Sequence, residues 1–311
     1  MTDKIKKLRF LFLIFLVAFY YISNYYFEKP QEELKNVELR ETSPVINEES
    51  KENLDDQLTE LKIYFVDVGQ ADCILVSNNG EYALIDAGNS ADGKKLVTYF
   101  KSLGIQSFKY VIGTHAHEDH IGGMDDIIYN FSISHFFMPN VITTTKTFEN
   151  VLDALEAQNI AFETPNINDT FVLGDVKFMV LWVGFSKTDL NDTSIVLKGV
   201  YKDNSFLLTG DATTNVEKKI LDSDLKSDLL KVGHHGSQYS SSAHFLKKVD
   251  PKYAIIQVGK NNDYGHPKQV VLDKLNKMGV QVFRTDLNGT IIASLNGKTI
   301  TFETVATDTD G

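Results

Sequence analysis

Three imidazoles and a carboxylate fall within six residues where the chain reads His115-Ala116-His117-Glu118-Asp119-His120, directly after the apolar run 110–114 and directly before Ile121-Gly122-Gly123. Neutral histidine nitrogens and an aspartate oxygen are the usual ligands of a divalent transition metal. Four ligands so close in sequence cannot all reach one ion from a tight loop without strain, which favours two adjacent ions. The chemistry such a cluster serves is metal-assisted hydrolysis.

A loop of this kind needs rigid neighbours, and the chain supplies short β-type runs at 61–68, 73–77, 82–86, 110–114, 171–183, 194–201, 205–210, 229–233, 253–259, 280–285 and 290–295. Helical patterns lie between some of them, at 93–103, 123–130, 147–158, 213–222, 241–248 and 267–278. Two batches of strands separated by helices predict a layered α/β domain over 61–311.

The chain of 311 residues is 42% hydrophobic with six prolines, enough to bury a sizeable core and unlike collagen or a disordered polymer. A single cysteine, Cys73, rules out an intramolecular disulfide framework. The net charge of −11 lacks the footprint of a protein that grips a long stretch of nucleic acid, because that affinity comes from Lys and Arg neutralising phosphates. It leaves nucleic acid open as a substrate held locally by metal.

The N-terminus has a different texture. Lys4, Lys6, Lys7 and Arg9 precede an uncharged apolar run over residues 10–27, just long enough to span a bilayer. The run ends in Tyr25, Tyr26 and Phe27, an aromatic belt, where a cleavable signal would end in small residues. An uncleaved anchor over 1–27 is therefore expected, with secretion after cleavage as the alternative. The basic flank on the N-terminal side places the remainder outside the cytoplasm. Residues 28–60 carry eleven acids against four bases and few apolar side chains, and read as an acidic linker.

The segment Thr114-His115-Ala116-His117-Glu118-Asp119-His120-Ile121-Gly122-Gly123 resembles the signature of the metallo-β-lactamase superfamily, whose fold is an αββα sandwich with metals at one edge. Leu84-Ile85-Asp86-Ala87-Gly88, Leu207-Leu208-Thr209-Gly210-Asp211 and Val232-Gly233-His234-His235-Gly236-Ser237 fall in the family's order. More narrowly, Val66-Asp67-Val68-Gly69-Gln70-Ala71-Asp72, Asn191-Asp192-Thr193-Ser194 and Tyr264-Gly265-His266-Pro267 resemble the lactamase-like C-terminal domain of ComEC-type DNA-uptake proteins and related hydrolases.

The resemblance implies two divalent ions, Zn²⁺ or alternatively Mn²⁺. His115 and His117 would hold the first, Asp119 and His120 the second, and Asp211 both. One of His234 and His235 completes the second site, with His234 favoured as ligand and His235 facing substrate. Asp86, Asn191 and Ser194 are implied to support the ligands or touch substrate. The family's middle histidine is absent, since no histidine lies between His135 and His234. Asn191 and Ser194 occupy its place, which thins the first metal's ligand set. His266 lies between a strand and a helix, where Pro267 suits the first helical turn; the resemblance makes it a contact for a substrate phosphate or leaving group. Asp67, Gln70 and Asp72 read equally as a tight turn or as site residues, and His135 and His244 as ordinary structural or surface positions.

The implied activity is that of a membrane-anchored, outward-facing phosphodiesterase or nuclease using a metal-bridging hydroxide, oriented by Asp119, on DNA or a cell-wall polymer. A non-catalytic accessory or nucleic-acid-binding protein is the first alternative, and a lactam hydrolase the lesser one.

Overall fold

The strands of this chain are apolar at successive positions because most are covered on both faces. In the computed structural model, which describes residues 60–185 and 189–306, fifteen strands are numbered here in chain order. The first sheet holds β1 (Leu61–Phe65), β2 (Cys73–Asn78), β3 (Glu81–Ala87), β4 (Ser107–Ile112), β5 (Ser132–Phe137), β6 (Phe162–Glu163), β14 (Thr290–Leu295) and β15 (Ile300–Val305), in the order β15-β14-β1-β2-β3-β4-β5-β6. The second holds β7 (Thr170–Leu173), β8 (Val176–Trp182), β9 (Val196–Tyr201), β10 (Asn204–Leu208), β11 (Leu229–Lys231), β12 (Tyr253–Ile256) and β13 (Gln281–Arg284), in the order β13-β12-β11-β10-β9-β8-β7.

Alternation along each strand divides the core into layers. Ile63, Ile74, Ile85 and Ile112 of the first sheet meet Phe178, Leu197, Phe206 and Ile255 of the second. On the outer face of the first sheet, Leu75, Leu84 and Val111 pack against helices α1 (Gly93–Ser102), α3 (Met124–Asn130) and α4 (Lys146–Ala157). On the outer face of the second, Leu207, Leu230 and Ile256 pack against α5 (Thr214–Lys219), α6 (Ala243–Val249) and α7 (Gln269–Lys277). The result is a helix–sheet–sheet–helix sandwich. Two single-turn helices, α2 (Glu118–Ile121) and α8 (Thr285–Asn288), complete the set.

Both sheets change from antiparallel to parallel part-way across. β3 through β6 run parallel, as do β10 through β13. Parallel neighbours need crossover helices, and the carboxyl ends of such strands are where α/β folds build sites. Asp86 ends β3, the His115–His120 segment follows β4, Asp211 follows β10, the His234-His235 pair follows β11, and His266 follows β12.

Several boundaries differ from the sequence reading. The run 171–183 is two strands, because Gly174-Asp175 forms a two-residue hairpin turn with Gly174 at φ 54°. The strand expected at 61–68 stops at Phe65. The sequence pattern misses strands β5 and β15 because their exposed positions carry polar residues and break the apolar run. Pro267 lies outside the helix, which begins at Gln269. The described residues all fall within one compact unit. The apolar run 10–27 and the linker up to residue 59 lie outside the described residues. Among the described residues no helix is long and apolar enough to cross a membrane.

Candidate metal centre

The loop after β4 is fixed from behind by one carboxylate. Asp86, at the end of β3 with φ 59°, accepts from Thr114 N at 2.8 Å and from Thr114 Oγ1 at 2.7 Å. Its Oδ2 also lies 2.7 Å from His120 Nδ1, so it clamps both ends of the loop. The glycines that follow are needed for close approach. A Cβ on Gly122 would stand 2.3 Å from Ser90 N and 2.4 Å from Asn89 C, both backbone atoms.

This clamp aims His120 Nε2 forward, 3.3 Å from Asp211 Oδ1 and 3.8 Å from Asp119 Oδ2. His235 Nε2 approaches from the second sheet, 3.3 Å from Asp119 Oδ2 and 3.7 Å from Asp211 Oδ2. The four ligand atoms of Asp119, His120, Asp211 and His235 all lie within 4.8 Å of one another. His115 and His117 sit beside this group, with His115 Nε2 and His117 Nδ1 3.0 Å apart and the His115 ring centroid 4.1 Å from that of His120.

His120 Nε2, Asp211 Oδ1 and His235 Nε2 are buried and make no hydrogen bond. Orphaned polar atoms in a protein interior are costly, and here they face one another. Two imidazole nitrogens and two carboxylate oxygens converging this way fit a divalent cation.

The electrostatics agree. Burial alone would raise the Asp211 carboxyl, but His120 and His235 reverse the sign and hold it well below the usual carboxylate range. Burial alone would depress His235, yet Asp211 and Asp72 push it up to about 10. His120 likewise stands well above the usual imidazole range despite burial, because Asp211, Asp86 and Asp119 surround it. His115 goes the other way, held well below by burial and by the neighbouring His120. Carboxylates that hold protons on buried imidazoles would equally favour a cation in the place of those protons.

The two adjacent histidines take places other than those favoured from sequence. The strand ends at Lys231, and Gly233–Gly236 form a tight 3-10 turn in which His234 and His235 both have φ 52°. His235 turns inward, is 1% exposed, and joins the cluster with its Nδ1 2.9 Å from Gln257 O. His234 faces the open side, its Nε2 3.6 Å from Asp211 Oδ2 and its ring 5.8 Å from that of His266. The inward side chain of the pair is thus the second histidine, where sequence reading favoured the first.

Ser194 Oγ accepts from Asp211 N at 3.1 Å and lies 3.4 Å from His115 Nδ1, linking the two halves of the site. Asn191 lies in the short 3-10 turn Leu190–Thr193, and its Oδ1 is buried without a hydrogen bond. His266 is held by Asn262, which accepts from His266 N at 3.0 Å and donates to His266 O at 2.7 Å. Burial, then the nearby His234, pushes the His266 ring down to about 4. His135 pairs with Glu163 on β6, remote from this cluster.

Three further buried residues adjoin the centre: Asp72, which the sequence reads equally as a turn or a site residue, and Lys231 and Gln257, which it does not place. Asp67 serves the turn, its Oδ1 accepting from Gly69 N at 3.1 Å, whereas Gln70 ties the turn to the loop after β12, accepting from Gly259 N at 3.1 Å. Lys231 gave one signal, a charged residue inside an otherwise apolar strand.

Residues 66–260 match the model of the metallo-beta-lactamase superfamily, and the chain belongs to that superfamily. Within it, the chain is similar to ComEC-type competence proteins. It is 32% identical over 254 residues to ComE operon protein 3 of Bacillus subtilis, covering 75% of this chain and 33% of that protein. It is 27% identical over 229 residues to the competence protein ComA of Neisseria gonorrhoeae, covering 72% of this chain and 31% of that one. The chain therefore spans about a third of the length of these relatives. Among solved structures, the metallo-beta-lactamase fold protein YhfI of Bacillus subtilis superposes with a TM-score of 0.52 at 12% identity, over 76% of this chain and 100% of that one, a likeness of fold.

Proposed function

We propose that this chain is a metal-dependent phosphodiesterase or nuclease, held at the outer face of a membrane by residues 10–27 and acting on DNA or a cell-wall phosphodiester. The observation that carries the hydrolase reading is the convergence of Asp119, His120, Asp211 and His235, with three of their ligand atoms buried and unpartnered. Similarity to competence proteins favours DNA among the substrates.

Divalent ions at this centre, Zn²⁺ or Mn²⁺, would supply Lewis-acid activation of water and positive charge for the phosphoryl oxygens. His120, His235 and Asp211 would hold one ion. His115 and His117, beside them, would hold a second. Asp119 keeps 31% of its side chain exposed. It is thus the carboxylate of the set placed to accept a proton from an attacking water at the open face. His234 and His266 line that face, and a His266 ring pushed down to about 4 is neutral near pH 7. It would orient a phosphoryl oxygen or leaving group through hydrogen bonding rather than by charge.

The second reading, an accessory protein that binds metal and partner without turnover, draws on the sequence Asn191-Asp192-Thr193-Ser194 where the superfamily's middle histidine is expected. The two readings separate in one experiment. Full-length protein in detergent is assayed on labelled single-stranded DNA and on a chromogenic diester, with Zn²⁺ or Mn²⁺ and with Asp119→Ala as control. Metal-dependent cleavage abolished by the substitution supports the hydrolase. Stoichiometric metal with no turnover on either substrate overturns it in favour of the accessory role.

A further inference from the structure

Asp72 belongs to the turn between β1 and β2, far in sequence from the histidine pair, and its carboxylate is 1% exposed. Its Oδ1 lies 3.3 Å from His235 Nδ1, and its Oδ2 lies 2.7 Å from the ammonium of Lys231, itself 1% exposed. The backbone of the same residue is tied to two other parts of the centre. Asp72 N donates to Asp119 O at 3.0 Å, and Asp72 O accepts from Gly88 N at 2.9 Å, two residues beyond Asp86. Gln257 closes the arrangement. Its carbonyl accepts from His235 Nδ1, and its side-chain amide donates to Val66 O at 3.0 Å and Cys73 O at 2.9 Å, strapping the turn that carries Asp72.

A buried carboxylate and a buried ammonium are each expensive to remove from water, and a well-packed apolar pair in their place is often no less stable. Their location beside the centre points to a purpose other than stability. An imidazole offers its Nε2 lone pair to a cation only when Nδ1 keeps its proton; Gln257 O accepts that proton, and the Asp72 carboxylate 3.3 Å from the same nitrogen holds it there electrostatically and raises the ring's basicity. Lys231 offsets the charge of Asp72 and anchors it, since its Nζ also donates to Val232 O at 3.1 Å, just before the turn that holds His235.

We propose that Asp72 and Lys231 form a positioning pair for the metal centre, in which Asp72, behind the Gln257 O–His235 Nδ1 hydrogen bond, keeps the His235 Nδ1 protonated and its Nε2 free to act as a ligand, and Lys231 makes the buried carboxylate tolerable. The inference rests on the reading of the cluster as a metal site, and is independent of which reaction, if any, the site performs.

The test uses full-length protein in detergent, stripped of metal and titrated with Zn²⁺ against a chromogenic chelator, with thermal unfolding measured alongside on the metal-free forms. Asp72→Asn is expected to weaken Zn²⁺ binding about 10- to 100-fold, the range for loss of a partner behind a histidine ligand. Lys231→Met leaves the carboxylate buried and unpaired and is expected to lower the melting temperature more than any other form. The double variant Asp72→Asn/Lys231→Met is expected to recover most of that stability while keeping the Zn²⁺ defect, which a purely structural ion pair would not do. Zn²⁺ affinity within twofold of wild type in Asp72→Asn, or restored in the double variant, overturns the proposal. A wild-type chain that takes up neither Zn²⁺ nor Mn²⁺ overturns it together with the metal centre. A chain that binds metal and hydrolyses nothing sinks only the hydrolase reading.

Discussion

Replacing Asp86 by asparagine isolates a tautomer effect from a folding effect. In the wild-type chain Asp86 accepts from Thr114 N and Thr114 Oγ1 and faces His120 Nδ1 at 2.7 Å. Asparagine keeps one carbonyl oxygen, enough for Thr114 N, and presents an NH₂ group where Oδ2 stood. The Thr114 hydroxyl can rotate to accept from it. His120 can accept too, but only with Nδ1 deprotonated, and the proton that remains then sits on Nε2, where it points at Asp211 Oδ1 3.3 Å away and occupies the lone pair a cation needs. In the metal-free chain the loss is the difference between a charge-assisted and a neutral hydrogen bond, about 1 kcal/mol. That corresponds to a fall of roughly 2–4 °C in melting temperature for a domain of this size. Zn²⁺ affinity, by contrast, should fall at least about tenfold, or about 1.4 kcal/mol. The assay pairs thermal unfolding of the metal-free protein with competitive Zn²⁺ titration. Wild-type Zn²⁺ affinity in Asp86→Asn would refute the assignment of His120 Nε2 as a ligand atom held by Asp86. A collapse of the metal-free fold would show instead that Asp86 acts chiefly on stability.

Two further outcomes follow from the loops around the centre. Gly122→Ala drives a methyl into the backbone of Asn89 and Ser90, neither of which can yield as a side-chain tip would; a loss of about 3 kcal/mol or more is expected, read as a shifted denaturant midpoint. His266→Gln tests the neutral imidazole. A ring whose folded pKa is about 4, below the ordinary 6.5, binds fewer protons folded than unfolded. The stability tied to that neutral ring is therefore present above pH 6.5 and lost as pH falls toward 4. The variant should flatten that part of the decline in metal-free protein between pH 7 and pH 5, with Zn²⁺ affinity unchanged, and an unaltered slope would count against the placement of His266.

What the sequence made legible was whatever depends on neighbours in the chain. The His115–His120 loop could be read because its ligands lie within one turn after an apolar strand, and strands buried on both faces, such as β3 and β4, show as unbroken apolar runs. Strands β5 and β15 could not, since their exposed polar positions erase the pattern. The hairpin at Gly174-Asp175 hid inside a run whose hydrophobicity continues through the turn.

The His234-His235 pair shows where local reasoning stops. Alternation along a strand predicts that adjacent side chains point to opposite faces but does not say which points inward. The structure replaces the strand with a turn in which both residues take the left-handed conformation, uncommon outside glycine although histidine is among the residues that visit it more often. Such a backbone persists only where its surroundings determine it, and those surroundings come from distant parts of the chain: Gln257 O on His235 Nδ1, Asp72 behind the ring, and Pro267 packed where a Cβ on Gly236 would fall. The inward placement of His235 rather than His234 is thus a property of β1, β11 and β12 meeting at one edge of the sandwich. It follows that substitutions at Asp72 or Gln257 should disturb His235 before they disturb the His115–His120 loop, which has its own clamp in Asp86.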